Sequence, residues 1–184
     1  MEYLKLNNDA EMPIEGLGTF LMTPVEAEAA ATAALAAGYE HIDTANAYMN
    51  ERAVGRAIAK SGIARDKIFV STKLWPSVYD AGMPAVDATL QRLGLDYVDL
   101  YLIHWPLAFR KGIGMPQSKN DLIPLSQIPL SLTWEAMEKL VDGKLTRHIG
   151  VSNFSIEAIE KLNDGARIRP EMNQIEIHPY MQQD

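Results

Sequence analysis

The chain has 184 residues, a length typical of one domain, and no cysteine, which excludes disulfide scaffolds and zinc–thiolate sites. Its 17 Lys and Arg against 24 Asp and Glu give a net charge of −7, which argues against a nucleic-acid partner. No apolar stretch reaches the roughly 18 residues of a membrane span, and early polar residues oppose a signal peptide, so we expect a cytoplasmic chain without a membrane partner.

Strand and helix patterns alternate along the chain. Residues 3–12, around Asn7 to Asp9, predict an N-terminal β-hairpin. Runs of β-branched and aromatic residues then predict strands at 16–20, 39–44, 68–73, 97–104, 147–152 and 172–177. Helices are predicted from Pro24 to a C-terminal stop at Gly38, and at 50–61, 83–93, 132–142 and 156–163. Thr23 and Glu26 form a predicted capping box at the first helix.

This alternation indicates parallel βαβ units and hence an α/β fold. A doubly wound sheet would place a glycine-rich turn before a helix, but residues 16–20 (GLGTF) are followed by neither a third glycine nor an immediate helix. In a (β/α)8 TIM barrel, functional groups instead lie at the C-terminal ends of many strands. Eight units take about 250 residues, so this length fits about six. We therefore predict a single, incomplete domain over 1–184, a TIM barrel truncated to about six parallel strands.

One long segment, residues 106–131, interrupts the alternation. It is rich in proline and glycine and shows no periodicity. Structureless loops of this length are usually functional or disordered. Because the segment follows the fourth strand, we expect it to lie over the mouth of the barrel, where a substrate enters.

The ends of three successive strands carry polar side chains that suggest a catalytic centre. Asp43, Lys73 and His104 occupy equivalent positions on strands about 4.8 Å apart, whereas each residue alone is more typical of a structural role. Asp43 and Lys73 can neutralise each other. Tyr48 follows closely enough to turn back over the strand end, and we expect the Lys73 ammonium to lower its pKa.

A phenol beside a neutral histidine suits the polarisation and protonation of a carbonyl oxygen while a nucleophile attacks the carbon. The sequence has no cysteine and no Gly-x-Ser-x-Gly motif. The favoured nucleophile is therefore the hydride of a cofactor rather than a side chain.

Six motifs occur together: GLGTF at 16–20, HIDTANAYMNE at 41–51, KLW at 73–75, LIHWP at 102–106, GVSNF at 150–154 and QIEIHP at 174–179. In their order and spacing, and over essentially the whole chain, the sequence resembles the aldo-keto reductases. The resemblance implies NADPH-dependent reduction of small aldehydes or ketones to alcohols. It makes Tyr48 the general acid, Asp43 and Lys73 the residues that tune it, and His104 the residue that orients the carbonyl.

The resemblance also implies two sets of binding residues. The cofactor set comprises Thr19, Asp43, Ser152, Asn153 and Gln174. Within it, Ser152 and Asn153 lie on the nicotinamide carboxamide, Gln174 lies against the ring, and Asp43 lies near the ribose. The substrate set comprises Phe20, Tyr48, Trp75, His104 and Trp105. Of these, Phe20, Trp75 and Trp105 are also compatible with plain packing.

Members of that family continue into two further βα units, which carry an aromatic residue that stacks on nicotinamide and basic residues for the 2′-phosphate. This sequence ends at Asp184, as part of a longer protein, as a truncated product, or as a chain that closes its barrel with a second copy. On the sequence alone we expect weak or absent NADPH binding, and an inactive or regulatory barrel fragment is the alternative function. The physiological substrate, the choice between NADPH and NADH, and the oligomeric state stay open.

A metal-dependent hydrolase is a second alternative. His41, Asp43, His104 and His178 are its candidate ligands, and His41 and Asp43 share one face of a strand. Lys73 would repel a cation from that position, so we expect no metal.

Overall fold

Six parallel strands form a curled half-barrel with helices against its outer face in the computed structural model, which describes residues 2–79 and 83–183. The strands of the chain are β1 (Tyr3–Lys5), β2 (Glu11–Pro13), β3 (Leu17–Gly18), β4 (His41–Asp43), β5 (Phe69–Leu74), β6 (Val98–Ile103), β7 (Ala108–Phe109), β8 (Leu122–Ile123), β9 (Thr146–Ser152) and β10 (Asn173–Gln174). The helices are α1 (Pro24–Ala36), α2 (Glu51–Ser61), α3 (Met83–Leu93), α4 (Leu130–Asp142) and α5 (Ile156–Asn163).

The main sheet has the order β10-β9-β6-β5-β4-β3, and every neighbouring pair in it is parallel. This confirms the predicted α/β barrel architecture with about six strands. The predicted edge strands were too long, since β3 and β10 contain two residues each. Both edge strands pair with a single neighbour, so few ladder hydrogen bonds support them.

The predicted N-terminal hairpin is present as the antiparallel pair β1–β2. Its buried residues Leu6 and Met12 pack against Leu100 and Leu102, whose side chains point to the inner face of the sheet. The hairpin therefore covers the interior of the half-barrel at the end opposite the strand termini that carry the polar residues.

The starts of α1 and α5 follow local sequence signals. Thr23 and Glu26 form the predicted capping box of α1, with Pro24 in the first turn. Ser155 accepts from the backbone of Ala158 at the start of α5. Within the described residues, each helix is too short or too polar to cross a lipid bilayer.

Contrary to our expectation of a structureless loop, the segment 106–131 contains regular structure. It contains the antiparallel pair β7–β8 and a short 3-10 helix at Lys119–Asp121, capped by Ser118. Two-residue strands are too short to show an alternating pattern, which explains why sequence periodicity did not reveal them.

Two layers of side chains result from the alternation along the strands. The outer face buries residues such as Ile42, Val70 and Ile103 beneath the helices. The opposite parity places Asp43 and Lys73 on the inner face, because successive side chains of a strand point to opposite sides. The register places Asp43 opposite Ser71 and Lys73 opposite Leu102, and so fixes the position of each polar group along the strand direction.

Candidate active site

Lys73 is the centre of the polar cluster at the C-terminal ends of the strands. Its side chain is 1% exposed, and its Nζ lies 2.6 Å from Asp43 Oδ2, 3.0 Å from Thr44 O and 3.3 Å from the Tyr48 hydroxyl. The three acceptors match the three hydrogens of an ammonium group. Burial lowers the pKa of Lys73, and the charge of Asp43 opposes this effect. The predicted grouping of these three side chains is therefore present in the structure.

Tyr48 is the last residue of a short 3-10 helix, Asn46–Tyr48, that follows β4. Met49 after it adopts a left-handed conformation with φ 58°. This reversal returns the chain over the strand end, as the spacing from Asp43 predicted. The Tyr48 ring lies 5.1 Å from that of Phe20 and 5.7 Å from that of His104. Since Lys73 donates to the phenol oxygen, the hydroxyl hydrogen of Tyr48 points away from the ammonium.

The expected lowering of the Tyr48 pKa is wrong. Burial, and then the negative charge of Asp43, raise the pKa of Tyr48 above its ordinary value. The cost of removing a phenolate from water therefore outweighs its stabilisation by Lys73 at 3.3 Å.

His104 follows β6 and is neutral, as predicted. Burial, together with the charge of Lys73, lowers the pKa of His104 to about 3. Its Nδ1 is buried and makes no hydrogen bond to the residues that the structure describes. The imidazole stands edge-on to Trp75, with ring centroids 5.0 Å apart. These contacts leave Nε2 as the ring nitrogen that can form a hydrogen bond with a ligand.

The residues expected to hold nicotinamide lie beside this cluster, at the ends of β9 and β10. Asn153 has a left-handed backbone (φ 62°), and its Nδ2 donates to His104 O at 3.0 Å and to Ser152 Oγ at 3.1 Å. Ser152 Oγ donates to Gln174 O, and Gln174 Nε2 donates to Asp43 Oδ1 at 3.0 Å. The structure thus brings Ser152, Asn153 and Gln174 into one network with Asp43 and His104.

Thr19 lies beneath the site rather than in it. It is fully buried, and its hydroxyl lies 3.2 Å from both Asn50 Oδ1 and the backbone oxygen of Asp43. A cofactor contact by Thr19 stays a prediction, and it fits poorly with a residue that has no accessible surface.

The three aromatic residues of the expected substrate set differ in exposure. Phe20 is 63% exposed and Trp105 is 39% exposed, so both present surface to solvent near Tyr48 and His104. Trp75 is buried, and its indole Nε1 donates to Gly114 O at 2.9 Å. Trp75 therefore attaches the long β6–α4 segment to the strand ends, which agrees with the expected position of that segment over the mouth.

Three supporting residues were not identified from the sequence: Asn50, Ser71 and Tyr79. Asn50 was read as a helix start, but its buried amide donates to Thr19 O and accepts from the hydroxyl of Thr44. Tyr79 contacts the backbone of Trp105 through its hydroxyl. Ser71 donates to Asp43 Oδ1 at 2.7 Å, and its parity with Lys73 was a sequence signal for this position.

The candidate metal ligands do not come together. Among residues 2–79 and 83–183, no group of three or more His, Asp or Glu side chains is arranged to hold a metal ion. His178 instead pairs with Glu176 at 2.9 Å on an exposed segment. Lys73 Nζ also fills the position beside Asp43 that a cation would need.

Comparisons with known proteins show which family the chain is similar to. The model of the Aldo/keto reductase family matches residues 16–184. An aldo/keto reductase of Synechocystis sp. is 44% identical over the whole chain, which covers 58% of that relative. The Saccharomyces cerevisiae protein named glycerol 2-dehydrogenase (NADP(+)) is 43% identical over 98% of the chain, which covers 62% of it. The chain thus spans about six-tenths of the length of these relatives.

Solved structures show the same similarity. An aldose reductase from Schistosoma japonicum superposes with a TM-score of 0.90 at 40% identity, over 97% of this chain and 62% of that one. An aldo/keto reductase from Brucella melitensis gives a TM-score of 0.83 at 44% identity, over 100% of this chain and 66% of that one.

Proposed function

This chain belongs to the aldo/keto reductase family, and on that premise we propose that it reduces small aldehydes or ketones to alcohols with NADPH. The observation that carries the proposal is the contact of a buried Lys73 ammonium with both Asp43 (2.6 Å) and the Tyr48 phenol (3.3 Å). An ion pair that touches a phenol at the mouth of a half-barrel is arranged for proton transfer to a ligand bound there.

Tyr48 is the proposed proton donor. Its raised pKa keeps the phenol protonated at physiological pH, and the alkoxide that forms from a carbonyl is a stronger base than a phenolate. Because the ammonium already donates to the phenol oxygen, the proton faces away from Lys73. After the transfer, the same ammonium contact stabilises the phenolate.

His104 is the proposed donor to the carbonyl oxygen. A neutral imidazole carries one N–H, and the buried Nδ1 leaves Nε2–H as the group for the substrate. The hydrogen bond from Asn153 to His104 O fixes the backbone that carries the ring. Phe20, Trp75 and Trp105 are the proposed apolar walls of the substrate pocket.

NADPH, when bound, supplies the hydride. Ser152 and Asn153 are the proposed residues for its carboxamide, because their hydroxyl and amide groups present the donors and acceptors that an amide requires, and Gln174 is proposed to lie against the ring. The side-chain oxygen of Asn153 makes no hydrogen bond to any described residue, so this acceptor fits an amide donor. The bond from Gln174 to Asp43 connects this set to the Asp43–Lys73 pair, and Lys73 contacts Tyr48.

The test is NADPH oxidation by the full natural protein with a generic aldehyde. We expect Tyr48→Phe to lower kcat by about 10²–10⁴-fold, since it removes a general acid. Tyr97→Phe is the matched control, because it removes a phenol hydroxyl that contacts Arg147 at the other end of the strands. Equal kcat values for Tyr48→Phe and the wild type would remove Tyr48 from the mechanism.

A further inference from the structure

A line of hydrogen bonds reaches the site from inside the half-barrel. His41 Nε2 lies 2.8 Å from Ser71 Oγ, and Ser71 Oγ lies 2.7 Å from Asp43 Oδ1. All three side chains project from the inner face of β4 and β5, where Asp43 and Ser71 are register partners. His41 and Ser71 are buried, and the mechanism above does not use either of them.

The direction of these bonds follows from counting hydrogens. Asp43 is paired with Lys73 as a carboxylate and can only accept, so the single hydroxyl hydrogen of Ser71 goes to Asp43. The contact between His41 and Ser71 then requires His41 Nε2–H as the donor. Burial lowers the pKa of His41, so the ring is neutral and carries its one hydrogen on Nε2.

The ring of His41 is held in this orientation by its surroundings. A Cβ atom at Gly16 would lie 2.5 Å from His41 Nδ1, so only glycine at position 16 leaves room for the imidazole. On another side the ring of Phe69 packs edge-on, with centroids 5.2 Å apart. The ring therefore has a fixed position from which it can orient Ser71.

We propose that His41 and Ser71 are positioning residues for Asp43. Each donates in turn, so that Asp43 Oδ1 is fixed and Oδ2 stays against Lys73, which in turn contacts Tyr48. Gln174 donates to the same Oδ1 atom and supports it from the mouth. The assignment rests on the proposed function for its catalytic consequence, whereas the direction of the hydrogen bonds does not depend on activity.

NMR of the folded chain tests the direction and the positioning without turnover. We expect the ring ¹⁵N spectrum of wild type to show His41 as the neutral Nε2–H tautomer, assigned by loss of the signal in His41→Gln. Ser71→Thr keeps the hydroxyl, and Ser71→Val has the same shape without it. The Asp43 carboxyl carbon signal should move in Ser71→Val and stay near its wild-type position in Ser71→Thr. A Nδ1–H tautomer, or equal shifts in both variants, would overturn the proposal.

Kinetics of the full natural protein test the consequence. Loss of a hydrogen bond to a charged group predicts a fall in kcat of about 10- to 100-fold in Ser71→Val, with KM little changed. Ser71→Thr should recover most of the activity. At position 41, Gln retains a donor near the Nε2 position and should recover more activity than Met, which has a similar size and no donor. Equal kcat values for the Thr and Val variants would overturn the proposal. An inactive wild type would instead refute the proposed function and leave the NMR result to decide the positioning.

Discussion

Removing one member of the Lys73–Asp43 pair should destabilise the fold far more than removing both. Lys73 is almost wholly buried and Asp43 is mostly buried, at an Nζ–Oδ2 distance of 2.6 Å. An unpaired buried charge typically costs about 3–5 kcal/mol, whereas neutral replacement of a whole buried pair is often nearly free. We therefore expect Lys73→Met and Asp43→Asn each to lower the free energy of unfolding by several kcal/mol, and the double variant to lower it by less than either.

The stability loss of each single variant has an upper limit, or ceiling, because the charged residue that remains can become neutral by gaining or losing a proton. At pH 7, protonating an ordinary aspartate costs about 4.2 kcal/mol and deprotonating an ordinary lysine costs about 4.6 kcal/mol. In Lys73→Met, Asp43 keeps the hydrogen bonds from Ser71 and Gln174, so its cost should be the smaller of the two. In Asp43→Asn, Lys73 keeps only neutral acceptors, so its cost should approach the ceiling.

Urea unfolding followed by circular dichroism at pH 6, 7 and 8 measures these costs. The Lys73→Met penalty should shrink as pH falls, because the aspartate is then easier to protonate. The Asp43→Asn penalty should shrink as pH rises, because the lysine is then easier to deprotonate. If a single variant does not fold, recovery of folding in the double variant is the expected result. Additive penalties in the double variant would refute the reasoning.

Three further predictions concern other parts of the molecule. Because burial lowers the pKa of His104 to about 3 from 6.5, the unfolded chain takes up this proton first as pH falls. Stability should therefore drop by about 2 kcal/mol from pH 7 to pH 5, and urea unfolding of His104→Gln should lack that share of the pH dependence. Trp75→Phe removes the indole donor to the long segment, so amide hydrogen exchange in residues 108–123 should accelerate, with a stability loss of about 1 kcal/mol. Unchanged exchange there would show that the indole does not hold the segment. Gly55→Ala places a Cβ 2.0 Å from the Leu93 backbone oxygen, so thermal unfolding should show a loss of about 1–3 kcal/mol despite the better helix propensity of alanine. Gly18→Ala, where the new Cβ meets no atom within 4 Å, is the matched control.

The sequence predicted the fold and the central contacts of the site because both depend on periodicity. Strands that run parallel in one sheet bring equivalent positions together, so Asp43, Lys73 and His104 were predictable as neighbours from their places at strand ends. Local signals were equally informative at the start of α1, where Thr23 and Glu26 form the expected capping box.

Contacts that depend on the reach of one side chain were not predictable in this way. Asn50 lies at the start of a helix, but its amide bonds to Thr19, which is 31 positions away in sequence. The pair β7–β8 is equally hidden, since each strand has two residues and the turn between them is long. In both cases the partner is chosen by the tertiary fold, which a local pattern does not contain.

The raised pKa of Tyr48 shows how an ion pair differs from a lone charge. A lone Lys73 ammonium 3.3 Å away would favour the phenolate, but Lys73 is stabilised in this buried position only because Asp43 lies against it. The carboxylate that stabilises the buried ammonium also opposes it at the phenol, and burial, which is the larger cause, raises the pKa of Tyr48. The proposed proton donation by Tyr48 therefore depends on the basicity of the alkoxide that accepts the proton. In this proposal the lysine fixes the direction of the hydroxyl and stabilises the phenolate after the proton has left.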